Sequence, residues 1–201
     1  MSLRAALSRE AVYLARIGRF FNSFAEAWAH FVARRDPLES FWDSLSNLPD
    51  ETARCWLVVP PPQVKEAVRG VQQSLAGLEW VAAVPGHFLH VSAPPSAEEW
   101  RDVPPFTITY RGVNCFHDAA IVEAHPDPEA PFPPSPFLPH LSIGYFRRAE
   151  QPDALRDVLL PHRDAELGSG LVEEVLVCDV PVGKSRFFEP WLVVDRIRLS
   201  G

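Results

Sequence analysis

Cysteine is scarce. The three present, Cys55, Cys115 and Cys178, lie far apart in the chain. No pair has the CxxC spacing of redox or zinc sites, and a reducing, cytoplasmic compartment is expected. No run of about 18 apolar residues occurs, so no transmembrane helix is expected. Arg4, Arg9 and Glu10 interrupt the opening apolar residues, which is unlike a secretory signal. Positive charge is short as well: 19 Lys and Arg against 26 Asp and Glu leave a formal charge of −7. A long duplex held non-specifically by phosphate contacts is therefore excluded as a partner, and any nucleic-acid ligand is small or gripped locally. What is abundant is ordinary for a globular chain, 47% hydrophobic and 22% charged, which excludes disordered, collagenous and coiled-coil classes. At 201 residues the chain buries enough surface to fold without disulfides or metals.

From Leu14 the residues Ile17, Phe20, Phe21, Phe24, Trp28, Phe31 and Val32 recur at threes and fours. This spacing predicts one amphipathic helix over roughly 5–35, stopped by Asp36-Pro37, with a shorter apolar pattern over Leu38–Leu48. The stripe either docks on the body, pairs with a second subunit or lies on a membrane, and docking is the reading adopted; oligomeric state stays open. Beyond it, Cys55–Val59 reads as a strand, Gln63–Leu78 as a helix, and Trp80–Val84 and His87–Ala93 as strands around a Pro85-Gly86 turn. Phe106–Tyr110 alternates, Arg111-Gly112 marks a turn or bulge, and Ala119–Glu123 reads as another strand. Seven of the sixteen residues from Ala124 to Pro139 are proline, so that stretch is a stiff loop. Leu138–Phe146, Val172–Val180 and Trp191–Leu199 complete the strands, and Pro152–Leu160 is a short helix. The order predicts an α+β fold with antiparallel sheets, divided into a helical extension (1–49) and a body (50–201).

Two segments share one design: Phe88-Leu89-His90-Val91-Ser92 and Leu138-Pro139-His140-Leu141-Ser142. On a strand, residues two apart project from the same face, so His90 with Ser92, and His140 with Ser142, each offer an imidazole and a hydroxyl to one surface. Facing each other across a cleft, they meet the needs of a phosphodiester. A neutral imidazole takes a proton from the attacking oxygen, an imidazolium protonates the leaving oxygen, and the serines hydrogen-bond the nonbridging oxygens. The alternative is two unrelated, hydrogen-bonded strand histidines.

These paired motifs resemble the His-x-Thr/Ser signature of the 2H phosphoesterase superfamily, which contains bacterial 2′-5′ RNA ligase-like proteins and cyclic phosphodiesterases. The resemblance covers roughly 50–201. It implies a two-lobed antiparallel-sheet α+β fold with one motif from each lobe, catalytic His90 and His140, and phosphate-binding Ser92 and Ser142. It further implies a small nucleotide or RNA-end substrate and a reaction needing no metal or other cofactor. Where ligase-like members often carry an arginine three residues beyond the second hydroxyl, this chain has Tyr145, followed by Arg147 and Arg148. Tyr145 and Arg147 are accordingly the expected additional substrate contacts. The proline-rich loop replaces a second-lobe helix, and the N-terminal helices are expected to cover the vacancy. Tyr145, Phe146 and Trp191 are each a candidate base-stacking or core residue, while Lys184 and Arg186 flank an apparent loop within reach of an anion. His30, His87, His117, His125 and His162 are assigned no chemistry. The other readings of the chain are an inactive nucleotide- or phosphate-binding module with the same cleft, and an interaction protein working through its aromatic N-terminal helix.

Overall fold

The computed structural model describes residues 21–45, 51–93, 100–132, 137–186 and 188–200. Helices α1 (Phe24–Ala33) and α2 (Phe41–Leu45) precede strand β1 (Glu51–Val58), helix α3 (Pro62–Leu75), β2 (Val81–Ala83) and β3 (Val91–Ala93). The long strands β4 (Phe106–Cys115), β5 (Ala119–Pro126) and β6 (His140–Phe146) come next. Helix α4 (Asp153–Leu159) then leads to β7 (Glu166–Val172), β8 (Glu174–Val182) and β9 (Leu192–Arg198). Among the described residues these nine strands form one antiparallel sheet in the order β7-β4-β5-β6-β3-β1-β8-β9, with β2 also paired to β6. The expected α+β class with antiparallel strands holds.

The sheet is nearly two sheets. Among the described residues one half, β7-β4-β5-β6-β2, meets the other, β3-β1-β8-β9, through a single register pair, Val91↔Leu141. Both members of that pair are fully buried and are the middle residues of the two His-x-Ser motifs. The two lobes are therefore joined where the candidate chemistry sits.

One face of the sheet carries the main core. Pro62 starts α3 where its missing N–H costs nothing, and Val64, Val68, Val71 and Leu75 form a buried stripe at spacings of one helical turn. That stripe packs with Leu155 and Leu159 of α4 against Val58, Val91, Leu141, Val122 and Ile108. Alternate residues of the same strands, including Leu57, Ile121 and the histidines and serines of the motifs, face the opposite side.

The N-terminal periodicity does not describe one uninterrupted helix through residue 35. Among the described residues the helix starts at Phe24, because the Ser23 hydroxyl accepts from Glu26 N at 3.1 Å and the Glu26 carboxylate accepts from Asn22 N at 2.7 Å. That reciprocal cap fixes a start inside the apolar stripe. The helix ends at Ala33, two residues before the expected stop. The part of the pattern at 1–20, and the end of the second one at 46–50, lie outside the described residues. Phe21 and Ala27 dock on Phe116, Ala119, Ile121 and Leu138, and Asn114 Nδ2 donates to the Phe24 carbonyl at 2.9 Å. Over these residues the aromatic stripe is a docking face for the body.

Two strand expectations need correction. Strand β3 starts only at Val91; Gly86–Phe88 forms a 3₁₀ turn and Leu89-His90 links the two. The strand expected over Val172–Val180 is β8 from Glu174 onward, while Val172 closes a separate strand, β7, Glu-Leu-Gly-Ser-Gly-Leu-Val, which holds two glycines. They are there for space and backbone conformation: a Cβ on Gly170 would lie 2.7 Å from Pro61, and Gly168 has φ +106°. The expected irregularity at Arg111-Gly112 is a bulge in which Gly112 takes φ +77°.

Candidate active site

Antiparallel register sets the geometry. Val91 and Leu141 meet in the main core, so the residues flanking them, His90 and Ser92 on one segment and His140 and Ser142 on the other, lie toward the opposite face. The two rings are close enough for His90 to oppose a charge on His140.

The rings are held in the same way. His90 Nδ1 lies 2.8 Å from the Phe88 carbonyl oxygen, and His140 Nδ1 lies 2.8 Å from the Leu138 carbonyl oxygen. A carbonyl only accepts, so both Nδ1 atoms carry the proton and both Nε2 atoms hold a lone pair in the neutral ring. Two histidines whose neutral rings keep a basic Nε2 have the tautomer needed for exchanging protons with a substrate. The carbonyl two residues upstream comes from the extended or 3₁₀ segment leading into each motif, so the local chain path supplies the lock.

Burial shapes the acidity. His140 is 9% exposed, and desolvation lowers its pKa from 6.5 to about 4, aided by His90 and opposed by the Leu138 hydrogen bond. His90 is half-buried; desolvation lowers its pKa too, against the bond to Phe88. Aromatic edges line the site: Phe116 stands T-shaped to His140 at 4.9 Å, and Trp191 does the same to His90 at 5.2 Å.

Tyr145 reaches this face through an irregularity. Ser142 pairs with Ile121 and Gly144 with Ala120, so β6 carries one extra residue there. That bulge turns Ile143 and Gly144 inward and returns Tyr145, three residues after Ser142, to the histidine side, where it hydrogen-bonds Ser142. Burial lifts the Tyr145 phenol to about 12, so it is a neutral donor. Its ring stacks on Phe41 of α2 at 4.2 Å. Gly144 leaves no room for a side chain: a Cβ there would sit 2.7 Å from Val81 Cγ1 on β2. Gly144→Ala is therefore expected to cost about 1–3 kcal/mol, read as a lowered denaturant midpoint. An unchanged midpoint would show that β2 moves aside freely.

Arg147 is exposed just past the end of β6, its amide bonded to the Trp80 carbonyl. Arg186 is engaged with Glu189 at 3.1 Å. The remaining histidines serve structure. His162 Nε2 meets Ser74 Oγ at 3.0 Å, His87 packs on Phe88, and His30 and His117 group with Phe21 and Arg34. A space lined by Phe21, His30, Glu39 and His117 belongs to that group and contains neither motif histidine.

Glu123 carried no sequence signal, yet it is the cross-strand partner of His140 and is only 5% exposed. Burial pushes its carboxyl up, but hydrogen bonds from His125 and Asn114 and the paired charge of Arg163 more than offset this, so the net direction is downward. Asn114 Nδ2 donates at 2.8 Å to Oε1, which also accepts from Arg163 Nη1. Glu123→Ala leaves Arg163 without its carboxylate and is expected to cost about 3 kcal/mol or more, measured by chemical denaturation. A loss below about 1 kcal/mol would mean that Arg163 finds water.

No family model matches the chain, and no curated protein does. Solved structures do. A protein of Thermus thermophilus matches at 15% identity with a TM-score of 0.52, over 74% of this chain and 98% of its own. A phosphoesterase structure matches at 15% identity and a TM-score of 0.53, over 76% of this chain and all of its own. Escherichia coli LigT, solved in complex with ATP, gives 15%, 0.50, 76% and 100%. The fold is thus that of LigT-like phosphoesterases. About a quarter of this chain has no counterpart in them. Among the described residues no helix is long and apolar enough to cross a membrane.

Proposed function

We propose that this protein is a 2H-type phosphoesterase that hydrolyses, or reversibly ligates, a 2′,3′-cyclic or 2′-5′ nucleotide phosphodiester without a metal. The observation that carries this reading is the matched pair of histidines at the lobe junction, each with Nδ1 tied to a carbonyl so that the lone pair is on Nε2, and each followed by a serine two residues on. The shared fold with LigT, solved with ATP, with NADP+ and with phosphate, supports a small nucleotide ligand.

In the hydrolytic direction one neutral Nε2 takes the proton of the attacking water as its oxygen bonds to phosphorus. The other, protonated, gives its proton to the ribose oxygen as the P–O bond breaks. Ser92 and Ser142 donate to the nonbridging oxygens, and Tyr145 orients the Ser142 hydroxyl. Both rings are neutral near pH 7, so the phosphate's negative charge must favour protonation of one of them on binding. Ser92→Ala and Ser142→Ala are each expected to lower kcat by about 10²-fold, the scale of one lost oxyanion donor, with unchanged unfolding midpoints. Retention of full kcat by both would remove them from the phosphate site.

Assays of 2′,3′-cyclic mononucleotides beside 2′-5′ dinucleotides, in chelator, test the reading. Turnover of either by the wild type, lost in the histidine variants, is the expected result. One observation favours a binding module instead: His140 is nearly closed off, with Phe116 against its ring and Phe21 stacked on Phe116 at 6.1 Å. Thermal stabilisation by a nucleotide with no turnover across the panel would decide for that alternative.

A further inference from the structure

Cys55 on β1 and Cys178 on β8 are direct register partners in the antiparallel ladder, flanked by the pairs Trp56↔Val177 and Arg54↔Asp179. Both are thiols in the structure. Residues so placed have backbones about 4.5–5.5 Å apart with side chains on the same face, inside the span over which a disulfide closes. Both side chains belong to one small apolar cluster with Leu57, Leu176, Val180 and Trp191, so they share a pocket and not merely a register. Their exposures differ: Cys178 is fully buried, whereas Cys55 is partly open to solvent. Cys55 is the more accessible of the two, and Cys178 is positioned to resolve what forms on it.

We infer that Cys55 and Cys178 form a reversible cross-strand disulfide on exposure to a hydroperoxide. Cys55, as thiolate, attacks one peroxide oxygen: an S–O bond forms and the O–O bond breaks, the sulfur is oxidised to a sulfenic acid, and the other oxygen leaves as alkoxide, or as hydroxide when the oxidant is hydrogen peroxide, and takes up a proton. The Cys178 sulfur then attacks the Cys55 sulfur, the S–O bond breaks, and water leaves with the Cys178 proton. Two thiols are oxidised and one peroxide is reduced. Burial raises the Cys178 thiol pKa, which disfavours it as the first nucleophile; for the second step it relies on its position opposite Cys55. Directly opposed strand residues hold their Cβ atoms slightly farther apart than most disulfides do, so the bond closes under tension and is readily reduced. Cys115, buried on β4 and bonded through Sγ–H to the Phe116 carbonyl, takes no part.

This bridge stands independently of the phosphoesterase reading, although it would form two residues along β1 from Leu57, the partner of Ser92, and beside Trp191, which touches His90. The test treats the full-length native protein with hydrogen peroxide, blocks remaining thiols with N-ethylmaleimide in denaturant so that buried thiols also react, and maps non-reduced peptides by mass spectrometry. Expected are a monomeric chain lighter by about two hydrogens, loss of two of three alkylatable thiols, a linked peptide pair containing Cys55 and Cys178, and full reversal by dithiothreitol. Cys115→Ser behaves like the wild type, while Cys55→Ser gives no bridge. The wild-type map suffices should Cys178→Ala fold poorly. Over-oxidation of Cys55 with Cys178 still alkylatable, or a Cys55-linked dimer, would overturn the proposal.

Discussion

His140→Asn is expected to lower kcat/KM on a 2′,3′-cyclic nucleotide by about 10²–10⁴-fold, the usual worth of one acid-base group. Asparagine is the informative replacement because its amide can still donate to the Leu138 carbonyl, preserving the bond that His140 Nδ1 makes at 2.8 Å. It has no group that titrates near neutrality. His90→Asn retains the equivalent bond to Phe88 and should fail to the same degree. The double variant should be little worse than either single one, since the two rings act in one proton exchange. Unfolding midpoints separate loss of chemistry from loss of fold. A well-folded double variant that turns substrate over at the wild-type rate would falsify the assignment of both histidines.

The second large effect is on stability against pH. His140 in the folded protein has a pKa of about 4, against 6.5 for an ordinary histidine, chiefly because burial disfavours its charged form. Between those values the unfolded chain holds a proton that the folded protein does not. Unfolding takes that proton up, so stability falls as pH falls from about 6.5 to about 4 and loses nothing further from this residue below that. The shift corresponds to about 3 kcal/mol over the whole window, and His90, lowered in the same direction, adds to it. Denaturant midpoints at about pH 7 and about pH 4.5 should therefore diverge strongly in the wild type and much less in His140→Asn. Equal pH sensitivity in the two would show that His140 titrates normally. The same shifts place the kcat/KM optimum on the acid side of neutrality, because the free enzyme must carry one neutral and one protonated ring.

Much of the body was legible because each element announces itself locally. The α3 stripe of Val64, Val68, Val71 and Leu75 has the helical period and a proline at its start, and Phe106–Tyr110 and Leu138–Phe146 alternate or run apolar as strands do. The motif histidines were legible for a related reason: a polar pair two residues apart between apolar neighbours has few uses on a buried strand. Less visible were features whose cause lies in another element. Strand β7 depends on Pro61 and α3 for its glycines, the start of α1 depends on a cap inside an apolar stripe, and His90 stands before its strand because the 3₁₀ turn ends beside it. Glu123 lacks any local pattern; its burial is made tolerable by Asn114 and by Arg163, well downstream.

By itself the sequence determined the α+β class, the antiparallel strands and the identity of two His-x-Ser segments, since period, proline and side-chain type act within a few residues. Only the tertiary structure decided that these segments meet at the pair Val91↔Leu141 between the lobes, that a bulge turns Tyr145 onto Ser142, that the N-terminal helices wall the histidine face, and that Cys55 lies opposite Cys178. Strand register and bulges arise from pairing between segments distant in the chain, and a one-residue slip would move every one of these side chains to the other face.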